Sequence, residues 1–123
     1  MSGNSVLLDT NIVLYFLGGD KALIPLLENK QLIVSFISEL ELLSYKDLKE
    51  NERLKIKQFL SECIILDINQ LIKERTVELR RKYSLRLPDS IVIATALYLN
   101  VPIISADKEL AKVRESDLVL YQK

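Results

Sequence analysis

Four acids stand where a carboxylate can do chemistry. Asp9 ends the apolar run Val6-Leu7-Leu8 and is followed by Thr10-Asn11. Asp107 follows Pro102-Ile103-Ile104-Ser105 in the same way, one residue after the run stops. Asp89 follows Pro88 at the head of an apolar helical pattern, with Val92 and Ile93 one turn on. Glu41 lies in Ser38-Glu39-Leu40-Glu41-Leu42-Leu43-Ser44, one helical turn from Ile37 and Tyr45 and three residues from Ser38 and Ser44. An acid at the carboxyl end of a strand, just before a helix, sits where open α/β sheets place their ligands. Clustered carboxylates repel, and each disfavours the ionised form of its neighbours. A divalent cation relieves that repulsion and can polarise a phosphodiester. Each acid also has an ordinary structural role. Asp9 and Asp107 can cap helices, Asp89 can complement a helix dipole, and Glu41 can be a helix-surface residue. Asp67 also follows an apolar run, and Glu109 is near Asp107 as a further acid or a first-turn residue.

Composition narrows the chemistry further. The chain has no histidine, which excludes serine–histidine and cysteine–histidine nucleophiles and histidine-based acid–base catalysis. One cysteine cannot replace histidine in the usual zinc sites. Three glycines cannot supply phosphate-loop or dinucleotide fingerprints. Oxygen ligands remain, and these suit magnesium and manganese. Seventeen basic residues balance seventeen acidic ones, so a nucleic-acid partner requires a local patch. At 123 residues the expectation is one domain over residues 1–123. No run reaches the length of a membrane span, and no signal-peptide pattern opens the chain. With the lone Cys63 read as a core residue of a strand, these features suggest a cytoplasmic protein.

The elements that must position the acids follow from apolar runs and breakers. Strands are expected at Val6–Leu8, Leu32–Val34, Cys63–Leu66, Pro102–Ser105 and Leu118–Leu120. Helices are expected at Ile12–Leu17, Lys21–Asn29, Ser35 to Leu48, Asn51–Ser61, Gln70–Tyr83, Ile91–Leu99 and Lys108–Val113. Short apolar strands alternating with helices predict an α/β fold with a parallel sheet covered on both faces. Strand order is not readable from this pattern.

At these residues the chain resembles the PIN-domain ribonucleases, specifically the small VapC-like toxins of type II VapBC toxin–antitoxin systems. Four segments carry the resemblance in order: Val6-Leu7-Leu8-Asp9-Thr10-Asn11, Val34 to Leu42 with Glu41, Leu87-Pro88-Asp89-Ser90 to Ala96, and Ile103-Ile104-Ser105-Ala106-Asp107-Lys108-Glu109-Leu110. Ser105 stands where threonine is more usual, and Leu110 where phenylalanine is common. The resemblance implies a PIN-like, Rossmann-like parallel sheet, metal-dependent RNA cleavage, a homodimer and a small antitoxin. It implies that Asp9, Glu41, Asp89 and Asp107 serve one or two Mg2+ or Mn2+ ions. Asp9 and Asp107 would be direct ligands, and Asp89 a ligand directly or through water. Glu41 would position or deprotonate the attacking water. Thr10, Asn11, Ser105 and Glu109 would support them.

A basic stretch, Lys73, Arg75, Arg80, Arg81, Lys82 and Arg86, runs toward Asp89. It reads either as an RNA track, with Arg80, Arg81, Lys82 and Arg86 nearest the site, or as a solvated helix face paired with Glu74 and Glu78. Tyr15, Phe16 and Leu17 read as core or as antitoxin contacts. The rival readings are a receiver-like phosphoacceptor module using Asp67, and a PIN fold that only binds protein.

Overall fold

The computed structural model describes residues 4–123; residues 1–3 of the expected domain lie outside the described residues. Five parallel strands form one sheet: β1 (Ser5–Leu8), β2 (Gln31–Ser35), β3 (Ile64–Leu66), β4 (Ile103–Ser105) and β5 (Leu118–Leu120). Their order is β3-β2-β1-β4-β5. The helices are α1 (Thr10–Leu17), α2 (Ile24–Leu27), α3 (Phe36–Leu43), α4 (Glu50–Ser61), α5 (Gln70–Lys82) and α6 (Leu87–Leu99), with 3-10 turns at Lys21–Leu23 and Lys108–Lys112.

The two-residue period of the strands divides the core. Leu7, Ile33 and Ile103 point to one face, where they meet Ile72 and Leu79 of α5, Val92 and Ile93 of α6, and Leu110. Val6, Leu8, Val34 and Ile104 point to the other, against Ile12 and Val13 of α1, Leu42 of α3, and Ile56, Phe59 and Leu60 of α4. Strands buried on both faces read as unbroken apolar runs, which is why they were legible. Helix α6 is buried along seven consecutive residues, Ser90–Ala96. Its interior hydroxyls are satisfied locally: Ser90 Oγ donates to Arg86 O and Thr95 Oγ1 to Ile91 O.

Several boundaries differ from expectation, each for a local reason. Asp9 caps α1, so that helix starts at Thr10 rather than Ile12. The expected helix Lys21–Asn29 is a 3-10 turn followed by one α turn that stops at Leu27 with Glu28 as its C-cap; Asn29 lies beyond it with φ 61°. Helix α3 stops at Leu43, with Ser44 as its C-cap; Tyr45 and Leu48 lie in the loop beyond, although their spacing continues the apolar pattern. Cys63 is not in β3 but in the bend before it, half-buried, where burial and the neighbouring Glu62 push its thiol up to about 11. Asn100 ends α6 in the left-handed conformation, which Asn tolerates better than most residues.

Candidate active site

The strand order locates a crevice. The chain moves outward from β1 through β2 to β3, then returns to the other side of β1 as β4. Loops leaving β1 and β4 therefore diverge, and such a switch point is where doubly wound sheets bind ligands. Asp9 leaves β1 and Asp107 leaves β4. Glu41 reaches the same place from α3 and Asp89 from the first turn of α6. Together they line a polar cleft of about 180 Å³ with Thr10, Asn11, Leu14, Tyr45 and Arg86.

Hydrogen bonds fix Asp9 through both carboxylate oxygens, and Asp107 and Glu41 through one each. Asp9 is 8% exposed. Its Oδ1 accepts from Thr10 N at 2.9 Å, and its Oδ2 accepts from Ser105 Oγ at 2.6 Å. Ser105 Oγ in turn accepts from Asp107 N at 3.0 Å, so one buried hydroxyl joins the loops after β1 and β4. Asp107 caps its 3-10 turn, with Oδ1 accepting from Glu109 N at 2.9 Å. Asn11 Oδ1 accepts from Ala106 N at 3.4 Å. Thr10 Oγ1 donates to Glu41 Oε1 at 2.7 Å and shares a 2.9 Å bond with Ser38 Oγ. Capping and membership of the cleft thus coincide in Asp9 and Asp107.

The electrostatics are those of crowded acids. Burial raises the Asp9 carboxyl above its ordinary value; the bonds from Ser105 and Thr10 oppose this, and the charges of Asp89 and Glu41 add to it. Among the described residues, Arg86 is the one basic side chain lining the cleft. Its Nε lies 3.1 Å from Asp89 Oδ2 and its Nη2 3.4 Å from Oδ1. This bond and the Asp89 charge hold the guanidinium above its usual range, with Asp107 and Glu41 contributing.

The structure thus brings Asp9, Thr10, Asn11, Glu41, Asp89 and Asp107 to one cleft, with Ser105 directly behind Asp9. It does not bring Glu109 there. That side chain is exposed and pairs with Lys112 at 2.9 Å, so its support for Asp107 comes only from its backbone N–H. The four basic residues are also dispersed. Arg86 lines the cleft, Lys82 pairs with Glu115 at 3.1 Å, and Arg80 and Arg81 are exposed on the last turn of α5. Ser38 and Tyr45 are additions to the site. Their spacing from Glu41, three and four residues, was the available signal.

The metal donors offered by this cleft are oxygens alone, a chemistry that fits a hard divalent cation rather than a soft metal. Among the described residues, no three acids or cysteines form a ready-made metal cluster; Asp89 faces Arg86 instead.

The PIN domain profile matches residues 6–116. No curated protein matches the sequence. Among solved structures, a chain of a toxin–antitoxin complex from Klebsiella pneumoniae aligns at 32% identity and a TM-score of 0.80, over 93% of this chain and 95% of that one. A chain of VapBC2 from Rickettsia felis, bound to a DNA fragment from their promoter, aligns at 23% identity and 0.85, over 96% and 99%. A chain of VapBC-1 from nontypeable Haemophilus influenzae aligns at 22% and 0.78, over 94% and 97%. The latter two likenesses, at lower identity, speak of the fold.

Proposed function

The chain belongs to the PIN-domain family, and from that premise we propose that it is a divalent-metal-dependent endoribonuclease, the VapC-like toxin of a VapBC-type toxin–antitoxin pair. The observation that carries this reading is the convergence of four carboxylates, from four separate elements, on one polar cleft at the sheet's switch point.

Asp9, Asp89 and Asp107 would hold one or two Mg2+ or Mn2+ ions. A bound ion would offset carboxylate repulsion and supply Lewis-acid stabilisation to the charge that builds on the phosphodiester. The remaining work falls to the chain's own groups. Ser105 and the Thr10 N–H orient the Asp9 carboxylate. Thr10 holds one oxygen of Glu41 and leaves the other free to take a proton from the attacking water. Arg80, Arg81, Lys82 and Arg86 would approach the RNA backbone, with Arg86 at the cleft itself. The protein partner would be an antitoxin, and the groove between α1 and α4, lined by Phe16, Leu17, Leu54 and Phe59, supports an apolar contact for it. A homodimer in the cytoplasm completes the proposal; among the described residues no helix is long and apolar enough to cross a membrane.

The receiver-like reading loses its geometric support. That architecture has strand order 2-1-3-4-5, with the third strand inside the sheet. Here β3 is at the edge, and Asp67 after it is exposed, bonded to its neighbour Ile68 N and not among the residues lining the cleft.

The deciding experiment is digestion of total RNA by purified protein in Mg2+, in Mn2+ and in chelator, beside Asp9→Asn. The expected result is cleavage that requires the metal and is lost in the variant, which stays folded. Burial of the ionised Asp9 costs the metal-free fold stability, so this variant is expected to melt no lower than the parent. Full activity in Asp9→Asn would sink the site. Absence of cleavage in every metal, in antitoxin-free protein, would leave a PIN fold that only binds.

A further inference from the structure

The acids of the cleft come with a cation of their own. Arg86 spans one turn of α6 to engage both oxygens of Asp89. The two partners are unequally placed: the Asp89 side chain is 12% exposed and that of Arg86 is 76% exposed. Asp89 is held at the cleft wall, whereas the guanidinium can turn into solvent. The backbone of Arg86 stays anchored in either case, because its carbonyl accepts from both Ser90 N at 3.0 Å and Ser90 Oγ at 2.9 Å. Only the side chain has to move.

We infer that Arg86 is a built-in counter-ion that holds Asp89 while the cleft is free of metal, and releases it when a divalent cation is bound. The inference rests on the reading of this cleft as a divalent-metal site. Its logic is charge balance. Before a cation is present, the guanidinium offsets the mutual repulsion of four carboxylates. Once a cation is present, Arg86 is repelled by it and competes with it for Asp89. Solvent then compensates a side chain that is already mostly outside.

The test is Mn2+ binding by calorimetry to the metal-free parent, to Arg86→Gln and to Arg86→Lys, with thermal midpoints taken with and without Mn2+. Arg86→Gln is expected to bind Mn2+ about two- to fivefold more tightly, the scale of one largely exposed ion pair. Its midpoint should also rise more on Mn2+ addition than the parent's. Lysine keeps the charge but cannot bridge both oxygens, so Arg86→Lys should fall between the two. Equal affinity in all three proteins overturns the exchange. Parent-like affinity in Arg86→Lys, with only Arg86→Gln tighter, shows net charge acting alone and also overturns it. Absence of Mn2+ binding by any of the three removes the metal reading itself, and the exchange with it.

Discussion

Ser105 shows how much of this site depends on residues that cannot themselves do the chemistry. It is fully buried at the end of β4, donates to Asp9 Oδ2 and accepts from Asp107 N. Without it, a mostly buried carboxylate loses one of two donors, and the loops after β1 and β4 lose their link. Hydrogen bonds to charged groups contribute about 1.5–3 kcal/mol. Ser105→Ala should therefore lower stability by about that amount in urea unfolding at pH 7, and should reduce metal-dependent RNA cleavage while the chain remains folded. Unchanged stability would mean that Asp9 finds a water in place of the serine. Ser38 supports Glu41 through Thr10 in a similar way, and neither residue stands out in a list of acids.

At the level of elements, the connection from α5 to α6 must be held, because it delivers Arg86 and Asp89 to the cleft. It is tied to the Lys108–Lys112 turn and to the segment after it. Tyr83 Oη donates to Glu115 Oε1 at 2.5 Å, Lys82 Nζ bonds Glu115 Oε2, and Lys112 Nζ donates to Ser84 O at 2.7 Å. The Tyr83 bond, with the bond and charge of Lys82, pulls the Glu115 carboxyl down to about 2. A carboxyl whose folded value is lowered stabilises the fold above its unfolded value, near 4.5. That contribution is lost as pH falls from there through about 2. Glu115→Gln should thus be less stable than the parent at pH 7, by about 1 kcal/mol or less because solvent screens the cluster. The gap should shrink progressively below about pH 4.5 in thermal melts. A gap independent of pH would show that packing, not charge, holds the connection.

Over the whole molecule, a formal net charge of zero gives RNA no long-range pull, and the cleft itself is acidic. Binding then depends on local cations such as Arg80 and Arg81, both exposed on the last turn of α5 and without an ion pair among the described residues. If each contacts a phosphate, Arg80→Ala with Arg81→Ala should weaken binding of single-stranded RNA. The double change should also flatten the slope of log affinity against log salt by about 1.4. An unchanged slope would place the backbone track elsewhere. Lys82 alone should matter less, since Glu115 already occupies it.

The sequence by itself determined the α/β class and the places where chain direction changes. It also determined the four acids and the capping roles of Asp9 and Asp107. Strands covered on both faces leave unbroken apolar runs, and caps leave Asp, Asn or Pro at fixed offsets, so both are local signals. Tertiary structure decided what these residues do to one another. Strand order, which no local pattern encodes, made β1 and β4 neighbours, so that the acids following them meet at one crevice, and left β3 and Asp67 at the edge. It aimed Ser105 at Asp9 across 96 positions and Thr10 at Glu41 across 31. It also sorted the basic stretch, which reads either as a track or as a solvated helix face: Arg86 faces an acid in the cleft, Lys82 faces Glu115, and Arg75 pairs with Glu78. Side-chain partners depend on which elements pack together, and that is settled by the burial of whole faces rather than by any short run of residues.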